Sequence, residues 1–219
     1  MSLEAALGRQ LDSWRAALGG GAERVGWKLG IGHRERIGDG PVIGHLTSAS
    51  RLPSGGELDV SGLAAPHADA EVALLIGEDV APHSDRASAA AAIAGYGTAL
   101  ELCDLGPAGG PEDIVAANVF HRAFALGDLD RPWPVRPPLG RLLVDGQTRA
   151  EADADADHAE LVRVAAALLG RMGERLRAGD CLITGSIVQM AVTPPSDVAA
   201  EIDGLGRVML TTAGPVAFR

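Results

Sequence analysis

The segment 67–77, with the sequence HADAEVALLIG, constrains the fold most. Its uninterrupted apolar run at 72–76 is typical of a strand buried in a core. Two carboxylates, Asp69 and Glu71, stand at the entrance of this strand. Because alternate residues of a strand point to the same face, both side chains face the same way, roughly 6.6 Å apart along the backbone. The chain therefore carries two negative charges side by side where it enters its own core.

The composition indicates a globular protein with an aliphatic core. The chain has 219 residues, which suits one domain of ordinary size, and it is 47% apolar but only 3% aromatic. Its net charge of −10 argues against nucleic acid or an anionic membrane as a main partner, since both require a basic face. No apolar run approaches the ~20 residues that span a bilayer. The segment 1–21 lacks the uncharged centre of a signal peptide, so we expect a cytoplasmic protein.

Two cysteines, Cys103 and Cys181, lie in apolar, strand-like runs. They form neither a disulfide framework nor a metal-binding spacing. We expect both to be buried, reduced thiols.

Lys28 is the single lysine among 19 basic residues. A lysine offers a compact ammonium group, and burial can lower its pKa. The guanidinium group of arginine has neither property. Gly26 and Gly30 flank it, and their missing side chains would let a ligand approach the backbone. Two interpretations stay open at this point, a functional ammonium or a surface lysine on a hairpin.

A third acid, Glu101, ends the apolar run YGTALEL. An unpaired buried carboxylate costs several kcal/mol, so each of the three acids needs a cation or must stay protonated. Carboxylates around one point suit a hard divalent ion such as Mg²⁺ or Mn²⁺. The alternative is that Asp69 and Glu71 lie on a solvated strand edge and pair with arginines.

The order of helix and strand patterns is mixed, which predicts an α+β fold with a largely antiparallel core. Helices are expected at 2–18, at 88–96, from 111 and at 158–177. Single strands are expected at 24–29, at 70–77, from 97 through Glu101, and at 120–127. A hairpin is expected at 141–152, and three closing strands are expected at 179–186 and within 197–212. Short hairpins and loops are expected at 41–63.

Five motifs, in the order GWKLGIG, DAEVALLIG, ALELCD, DIVAANVFHRAFALG and LRAGDCLITGS, resemble the fumarylacetoacetate hydrolase superfamily. The likeness is greatest to its branch of 2-oxopent-4-enoate hydratases and 4-oxalocrotonate decarboxylases, and it covers about residues 24–212. The resemblance implies a mixed β-sandwich or roll with flanking helices. It also implies an N-terminal helical extension at 1–22 and a catalytic domain at 23–219.

The resemblance assigns roles to particular residues of this sequence. It implies a site for Mg²⁺ or Mn²⁺ and an active-site lysine, and it places substrate-binding groups in the late Thr-Gly motif and beside it. The implied metal ligands are Asp69, Glu71 and Glu101, the lysine is Lys28, and the substrate-binding residues are Thr184, Gly185, Ser186, Asn118 and His33.

The chain departs from the pattern of the branch at several positions. Asp69 stands where a glutamate is usual, and 117–118 reads Ala-Asn instead of Asp-Asn. At 47–49 the sequence Thr-Ser-Ala lacks a loop acid that the branch uses in proton handling. His33, which follows the lysine motif, and His121 are hypothetical replacements for that acid.

The resemblance implies an enzyme of aromatic-compound catabolism that acts on a small 2-oxo acid through a metal-bound enolate, with Lys28 supplying positive charge or shuttling a proton. Hydration of a 2-hydroxy-2,4-dienoate is the first expectation. The alternatives are decarboxylation of a 2-oxo diacid, C–C hydrolysis of an acylpyruvate, a non-catalytic partner subunit, and a binding module without metal. We expect a homodimer or higher homo-oligomer, or assembly with a decarboxylase or hydratase partner.

Overall fold

Two β-sheets flanked by helices build the protein in a computed structural model that describes residues 2–31, 34–38 and 40–214, without the side chains of Arg34 and Glu35. The helices are α1 (Leu3–Gly19), α2 (Arg34–Ile37), α3 (Arg86–Ala91), α4 (Pro111–Ala116) and α5 (His158–Arg171). The strands are β1 (Arg24–Gly30), β2 (Val42–Thr47), β3 (Gly56–Asp59), β4 (Pro66–Ile76), β5 (Ile93–Asp104), β6 (His121–Leu126), β7 (Leu139–Val144), β8 (Gln147–Asp153), β9 (Cys181–Ala191), β10 (Ser196–Ile202) and β11 (Gly206–Ala213).

The strands form a six-stranded sheet in the order β2-β1-β9-β4-β5-β6 and a five-stranded sheet in the order β3-β11-β10-β7-β8. The pairs β1–β9 and β11–β3 are parallel, and the other neighbours are antiparallel. The predicted α+β class with a largely antiparallel core is therefore confirmed. None of the helices within the described segments is long and apolar enough to cross a membrane.

The hydrophobic core has two main parts. One lies where α1 and α5 pack on the six-stranded sheet, and includes Trp14, Trp27 and Leu169. The other lies between the sheets and includes Leu100 and Val198. Cys103 and Cys181 are buried and free, as predicted.

Helix α1 is tied to the sheet through a buried amide. The Gln10 side chain is fully buried, and its Nε2 donates to the carbonyl oxygens of Ile43, at 3.0 Å, and Val115, at 2.7 Å. The helix begins as predicted, because the Ser2 hydroxyl accepts a hydrogen bond from the Ala5 N–H.

Several predicted boundaries were wrong. Strand β4 begins at Pro66, so Asp69 and Glu71 lie inside the strand and not at its entrance. Helix α5 ends at Arg171 rather than 177, because Gly173 adopts a left-handed conformation (φ 73°) that stops it.

The short helix predicted at 88–96 ends at Ala91, since the residues from Ile93 onward pair with β4. The segment 41–63 does not fold back on itself as hairpins. Instead β2 pairs with β1, and β3 joins the other sheet beside β11.

Candidate metal centre and active site

Strand register brings the three predicted acids together. Asp69 lies directly opposite Glu101 in the β4–β5 ladder, and Glu71 lies two residues further along β4. Their exposed fractions are 3%, 1% and 2% respectively. All three line one cavity of about 270 Å³. The alternative of a solvated strand edge is therefore wrong, because β4 is an interior strand of the sheet.

Lys28 reaches the same cavity from β1. It is 3% exposed, so the alternative of a surface lysine is also wrong. Its Nζ donates to the Glu101 carboxylate and, at 3.1 Å, to the Val119 carbonyl oxygen. Gly44 lies opposite Lys28 in the β1–β2 ladder, and a Cβ at that position would stand 2.8 Å from Lys28 Cγ. The glycine leaves the space through which the lysine side chain runs.

Strand β9 supplies hydrogen-bond donors to the carboxylates of β4. The Gly185 N–H donates to Glu71 Oε2 at 2.7 Å, and the Ser186 hydroxyl donates to Asp69 Oδ1 at 3.0 Å. Gly185 has φ 104°, a conformation that favours glycine, at a point where the β4–β9 register shifts. These two predicted substrate-binding residues therefore contact the acidic side chains directly.

The side chains of two other predicted substrate-binding residues hydrogen-bond to backbone groups. Thr184 Oγ1 donates to the Val72 carbonyl oxygen at 3.1 Å. Asn118 Oδ1 accepts from the His45 N–H at 2.7 Å, and its Nδ2 donates to the His45 carbonyl at 3.0 Å. Neither residue lines the 270 Å³ cavity. His33 lies outside the described residues.

A left-handed turn carries the carbonyl group that holds Lys28. Asn118, Val119 and Phe120 have φ values of 61°, 54° and 63°, and the His121 N–H closes the turn on the Asn118 carbonyl at 3.1 Å. Such conformations cost on the order of 1–3 kcal/mol each for residues other than glycine. The two hydrogen bonds between Asn118 and His45, one accepted and one donated by the amide, are among the contacts that hold this strained turn against β2.

His121 and Cys103 also contact the acids, and spacing alone did not assign either to the site. His121 Nδ1 lies 2.6 Å from Glu101 Oε1, and its Nε2 lies 2.9 Å from the Ser50 hydroxyl. Burial lowers the pKa of His121, so we assign a neutral ring that donates from Nδ1 and accepts at Nε2. The Cys103 thiol donates to Asp69 Oδ2 at 3.3 Å. Strand alternation could have found Cys103, because it follows Glu101 by two residues.

The charges of the site are unbalanced. Burial and the charge of Glu101 raise the pKa of Asp69, and raise that of Glu71 well above its ordinary value. Burial opposes the ionisation of Glu101, but Lys28 and His121 outweigh it and lower the Glu101 pKa to about 2. For Lys28, burial would lower the pKa, yet the charge of Glu101 reverses the effect and raises it. Lys28 and Glu101 thus form one buried ion pair, and the raised pKa values of Asp69 and Glu71 favour the protonated forms of these two carboxyl groups.

These residues fit a divalent metal ion. Ligand atoms of Asp69, Glu101 and Cys103 lie within 4.8 Å of one another, and Glu71 faces the same cavity. Three carboxylates offer the oxygen ligands that Mg²⁺ and Mn²⁺ prefer. A divalent cation would also supply the positive charge that Asp69 and Glu71 need to ionise.

No protein-family model matches the chain. It is 30% identical over 210 residues to a 2-keto-4-pentenoate hydratase of Burkholderia vietnamiensis, covering 87% of this chain and 79% of the relative. It is 27% identical over 206 residues to a 4-oxalocrotonate decarboxylase of a Pseudomonas species, covering 89% of this chain and 80% of the relative.

Solved structures show the same fold. A 4-oxalocrotonate decarboxylase of Pseudomonas putida G7, complexed with magnesium and adipate, superposes with a TM-score of 0.86 at 22% identity, covering 97% of this chain and 86% of that one. A fumarylpyruvate hydrolase of Pseudomonas aeruginosa, in complex with Mn²⁺ and pyruvate, gives a TM-score of 0.68 at 20% identity, covering 88% and 91%. The predicted mixed β-sandwich with flanking helices is confirmed. The chain belongs to the 2-keto-4-pentenoate hydratase and 4-oxalocrotonate decarboxylase branch of the fumarylacetoacetate hydrolase superfamily.

Proposed function

We propose that this protein is a divalent-metal-dependent lyase that hydrates a small 2-hydroxy-2,4-dienoate, of the 2-oxopent-4-enoate type. The observation that carries the proposal is the convergence of three buried carboxylates and the single lysine on one cavity of about 270 Å³. The relatives named as a hydratase and a decarboxylase support the same class of reaction.

Asp69, Glu71 and Glu101 would hold Mg²⁺ or Mn²⁺, and the ion would supply a Lewis acid for the 2-oxo acid end of the substrate. The polar neighbours of the acids fix their orientation. Ser186 and Gln189 hydrogen-bond to Asp69, and the Gly185 N–H holds Glu71. Such outer contacts keep ligand oxygens in place before the ion and the substrate arrive.

Lys28 is the proton-bearing group of the proposed reaction. Its pKa is raised in the described site, so it carries its proton at neutral pH and acts as a positive hydrogen-bond donor. The Val119 carbonyl holds the ammonium beside Glu101, which keeps it at the charged end of the cavity. From there Lys28 can stabilise negative charge that develops on a substrate oxygen and deliver a proton to it.

Binding of Mn²⁺ to the purified protein, with and without oxalate, tests the metal part of the proposal. Oxalate mimics the two oxygens of a 2-oxo acid in their planar form. We expect oxalate to tighten Mn²⁺ binding in the wild type, and Glu101→Gln to abolish binding. Glu57→Gln, at an exposed position of β3, is the matched control and should bind as the wild type does. Absence of Mn²⁺ binding in the wild type would refute the proposal.

Turnover tests the reaction itself. Purified protein with Mn²⁺ should consume 2-hydroxypenta-2,4-dienoate, which is followed by the loss of its conjugated-diene absorbance. Lys28→Met should lose this activity and keep Mn²⁺ binding. An active Lys28→Met variant would exclude the proposed role of the ammonium.

One observation favours a second candidate, a non-catalytic subunit of a larger complex. His121 Nε2 contacts the Ser50 hydroxyl in the short helical turn Ser48–Ser50. This turn carries hydroxyl groups and no carboxyl group, so the loop acid that the branch uses in proton handling is missing from it. Mn²⁺ binding without turnover of any 2-oxo or 2-hydroxydienoic acid, together with activation of an added hydratase or decarboxylase, would favour this candidate. Turnover by the purified protein alone would exclude it.

The homodimeric or higher assembly stays a prediction of the family resemblance. Sedimentation velocity of the purified protein, with and without Mn²⁺, would test it. A monomer at all concentrations would contradict it.

A further inference from the structure

The two cysteines of the chain lie in different surroundings. Both are buried, with 3% of Cys103 and 2% of Cys181 exposed. Cys181 packs among apolar side chains, including Leu46 and Phe124. Cys103 belongs to none of the hydrophobic clusters formed by the described residues, and it lines the cavity that holds the acids. Packing in an apolar core therefore accounts for Cys181 and does not account for Cys103.

The register of β4 and β5 aims the Cys103 thiol at the acids. Cys103 follows Glu101 by two residues on β5, so both side chains lie on the same face of the sheet. Asp69 lies opposite Glu101, which makes it a diagonal neighbour of Cys103 across the ladder. The thiol accordingly lies 3.3 Å from Asp69 Oδ2, while the other oxygen of that carboxylate accepts a hydrogen bond from Ser186.

The distances around Cys103 are those of ligands that share one ion. Metal bonds of about 2.3 Å to sulfur and about 2.1 Å to oxygen place neighbouring ligand atoms roughly 3.1 Å apart on an octahedral ion and roughly 3.6 Å apart on a tetrahedral one. The 3.3 Å between Cys103 Sγ and Asp69 Oδ2 falls within this interval. Ligand atoms of Asp69, Glu101 and Cys103 also lie within 4.8 Å of one another. The sulfur thus lies within reach of a cation that these two carboxylates hold.

From this geometry we infer that Cys103 is a further ligand of the proposed metal centre, and that the centre prefers a thiophilic divalent ion such as Zn²⁺ or Co²⁺ to Mg²⁺. The inference rests on the proposed function and extends its ligand set of three carboxylates. A coordinating thiol gives up its proton, and the resulting thiolate binds borderline and soft ions in preference to hard ones. Mg²⁺ prefers oxygen ligands and would leave the thiol protonated.

Absorption spectroscopy of the Co²⁺-loaded protein tests whether the sulfur is a ligand. A thiolate bound to Co²⁺ gives an intense charge-transfer band in the near ultraviolet, which carboxylate ligands do not give. We expect this band in the wild type and in Cys181→Ala, whose thiol lies outside the cavity, and not in Cys103→Ser. The chain has two cysteines, so a band that Cys181→Ala retains identifies Cys103 even if Cys103→Ser fails to fold.

Metal selectivity provides a second, independent measurement. Cys103→Ser should weaken Zn²⁺ binding by at least about tenfold, the loss that even the outer contacts of a ligand cause, and should leave the Mg²⁺ affinity nearly unchanged. Cys181→Ala should change neither affinity. Calorimetric titration with each ion gives the two dissociation constants. An equal loss of Zn²⁺ and Mg²⁺ affinity in Cys103→Ser would mean that the thiol only positions Asp69, and it would overturn the inference.

The outcomes separate the inference from the function on which it rests. If the wild type binds none of Co²⁺, Zn²⁺ and Mg²⁺, the proposed metal chemistry fails and the inference fails with it. If the wild type binds Co²⁺ without a charge-transfer band, the carboxylates hold the ion alone. The proposed function then stands, and the assignment of Cys103 as a ligand is wrong.

Discussion

Lys28 occupies a narrow passage between strands. Its methylene chain passes Gly44 of β2, where even one added carbon would lie 2.8 Å from Lys28 Cγ, and its ammonium ends between Glu101 and Val119. The abundance of arginine elsewhere in the chain suggested that lysine is needed here, and the geometry gives the reason. A guanidinium is planar and broad, and it cannot place a single nitrogen in that space.

We therefore expect Lys28→Arg to be as damaging to turnover as Lys28→Met. The rate should fall by about 10²-fold or more in both, because the proton donor is misplaced in one and removed in the other. Lys28→Met should keep or improve its Mn²⁺ affinity, since Glu101 no longer shares its charge with an ammonium. Steady-state kinetics and Mn²⁺ titration provide the measurements. Turnover of Lys28→Arg at the wild-type rate would show that any cation suffices.

His121 positions a proposed metal ligand. Its Nδ1–H donates to Glu101 at 2.6 Å, and second-sphere donors of this kind typically affect metal affinity by about 10–100-fold. We expect His121→Ala to weaken Mn²⁺ binding by that order. His121→Asn, whose amide nitrogen can replace Nδ1, should lose much less.

A merely structural role for His121 predicts a different pattern. Both variants would then lower the thermal stability alike and bind Mn²⁺ with equal affinity. Melting temperatures measured beside the Mn²⁺ titrations separate the two explanations.

The residues of the site differ in how far the sequence predicts them. The period of two in a strand places Asp69 and Glu71 on one face without any structure. The contact of His121 with Glu101 depends on the β5–β6 ladder and on a turn of unusual conformation, and neither has a local signal. The roles of Thr184 and Asn118 toward substrate rest on the family resemblance, while their described contacts are to backbone groups.

At the scale of elements, the turn 118–120 between α4 and β6 shows strain held in place by tertiary contacts. Three successive residues adopt left-handed φ values, including the β-branched Val119, for which the conformation is a genuine outlier. Sequence patterns could not predict three successive left-handed residues here, because only turns rich in Gly or Asn have a sequence signal for such conformations. The helices α1 and α4 and the hairpin β7–β8 were predictable from caps, a first-turn proline and an Asp-Gly turn.

Asn118→Ala should release this turn. Loss of two hydrogen bonds to His45 costs about 2 kcal/mol of unfolding free energy. Turnover should fall as well, since the Val119 carbonyl no longer holds Lys28. Chemical denaturation and kinetics measure the two effects. Thr148→Ala, at an exposed position on β8, is the control and should change neither. A stable Asn118→Ala variant with full activity would contradict the role given to the turn.

At the scale of the whole molecule, the six-stranded sheet assembles the site from distant parts of the chain. Strands β1, β9, β4 and β5 are consecutive neighbours in that sheet, and they carry Lys28, Ser186, Asp69 and Glu101. Local patterns predicted most of these strands. They could not predict that β9 inserts between β1 and β4, because the choice of a neighbour depends on packing over long sequence separations. The family resemblance implied a mixed β-sandwich or roll with flanking helices, and it did not assign this strand order.

The burial of this charged cluster makes the metal-free protein sensitive to pH. In the unfolded chain Asp69 and Glu71 lose their protons at about pH 4. The folded metal-free protein holds them to higher pH, because burial and Glu101 raise both pKa values. Between pH 4 and these raised pKa values the folded state binds more protons than the unfolded state, so the free energy of unfolding falls as the pH rises. The pKa of Glu101 is lowered in the folded state, so its ionised form stabilises the fold. This contribution to the free energy of unfolding is lost only as the pH falls toward about 2.

Metal binding should reverse the destabilisation from Asp69 and Glu71. A bound divalent ion requires their ionised forms, so binding releases protons and the Mn²⁺ affinity should rise as the pH increases above about 4, the ordinary pKa of a carboxyl group. The increase in melting temperature on adding Mn²⁺ should grow over the same interval, since ligand stabilisation follows the ratio of concentration to Kd. Glu71→Gln removes one of the two titrating groups and should flatten both curves. A Mn²⁺ affinity that is independent of pH would mean that these carboxyl groups are already ionised in the metal-free protein, and hence that another positive charge compensates them.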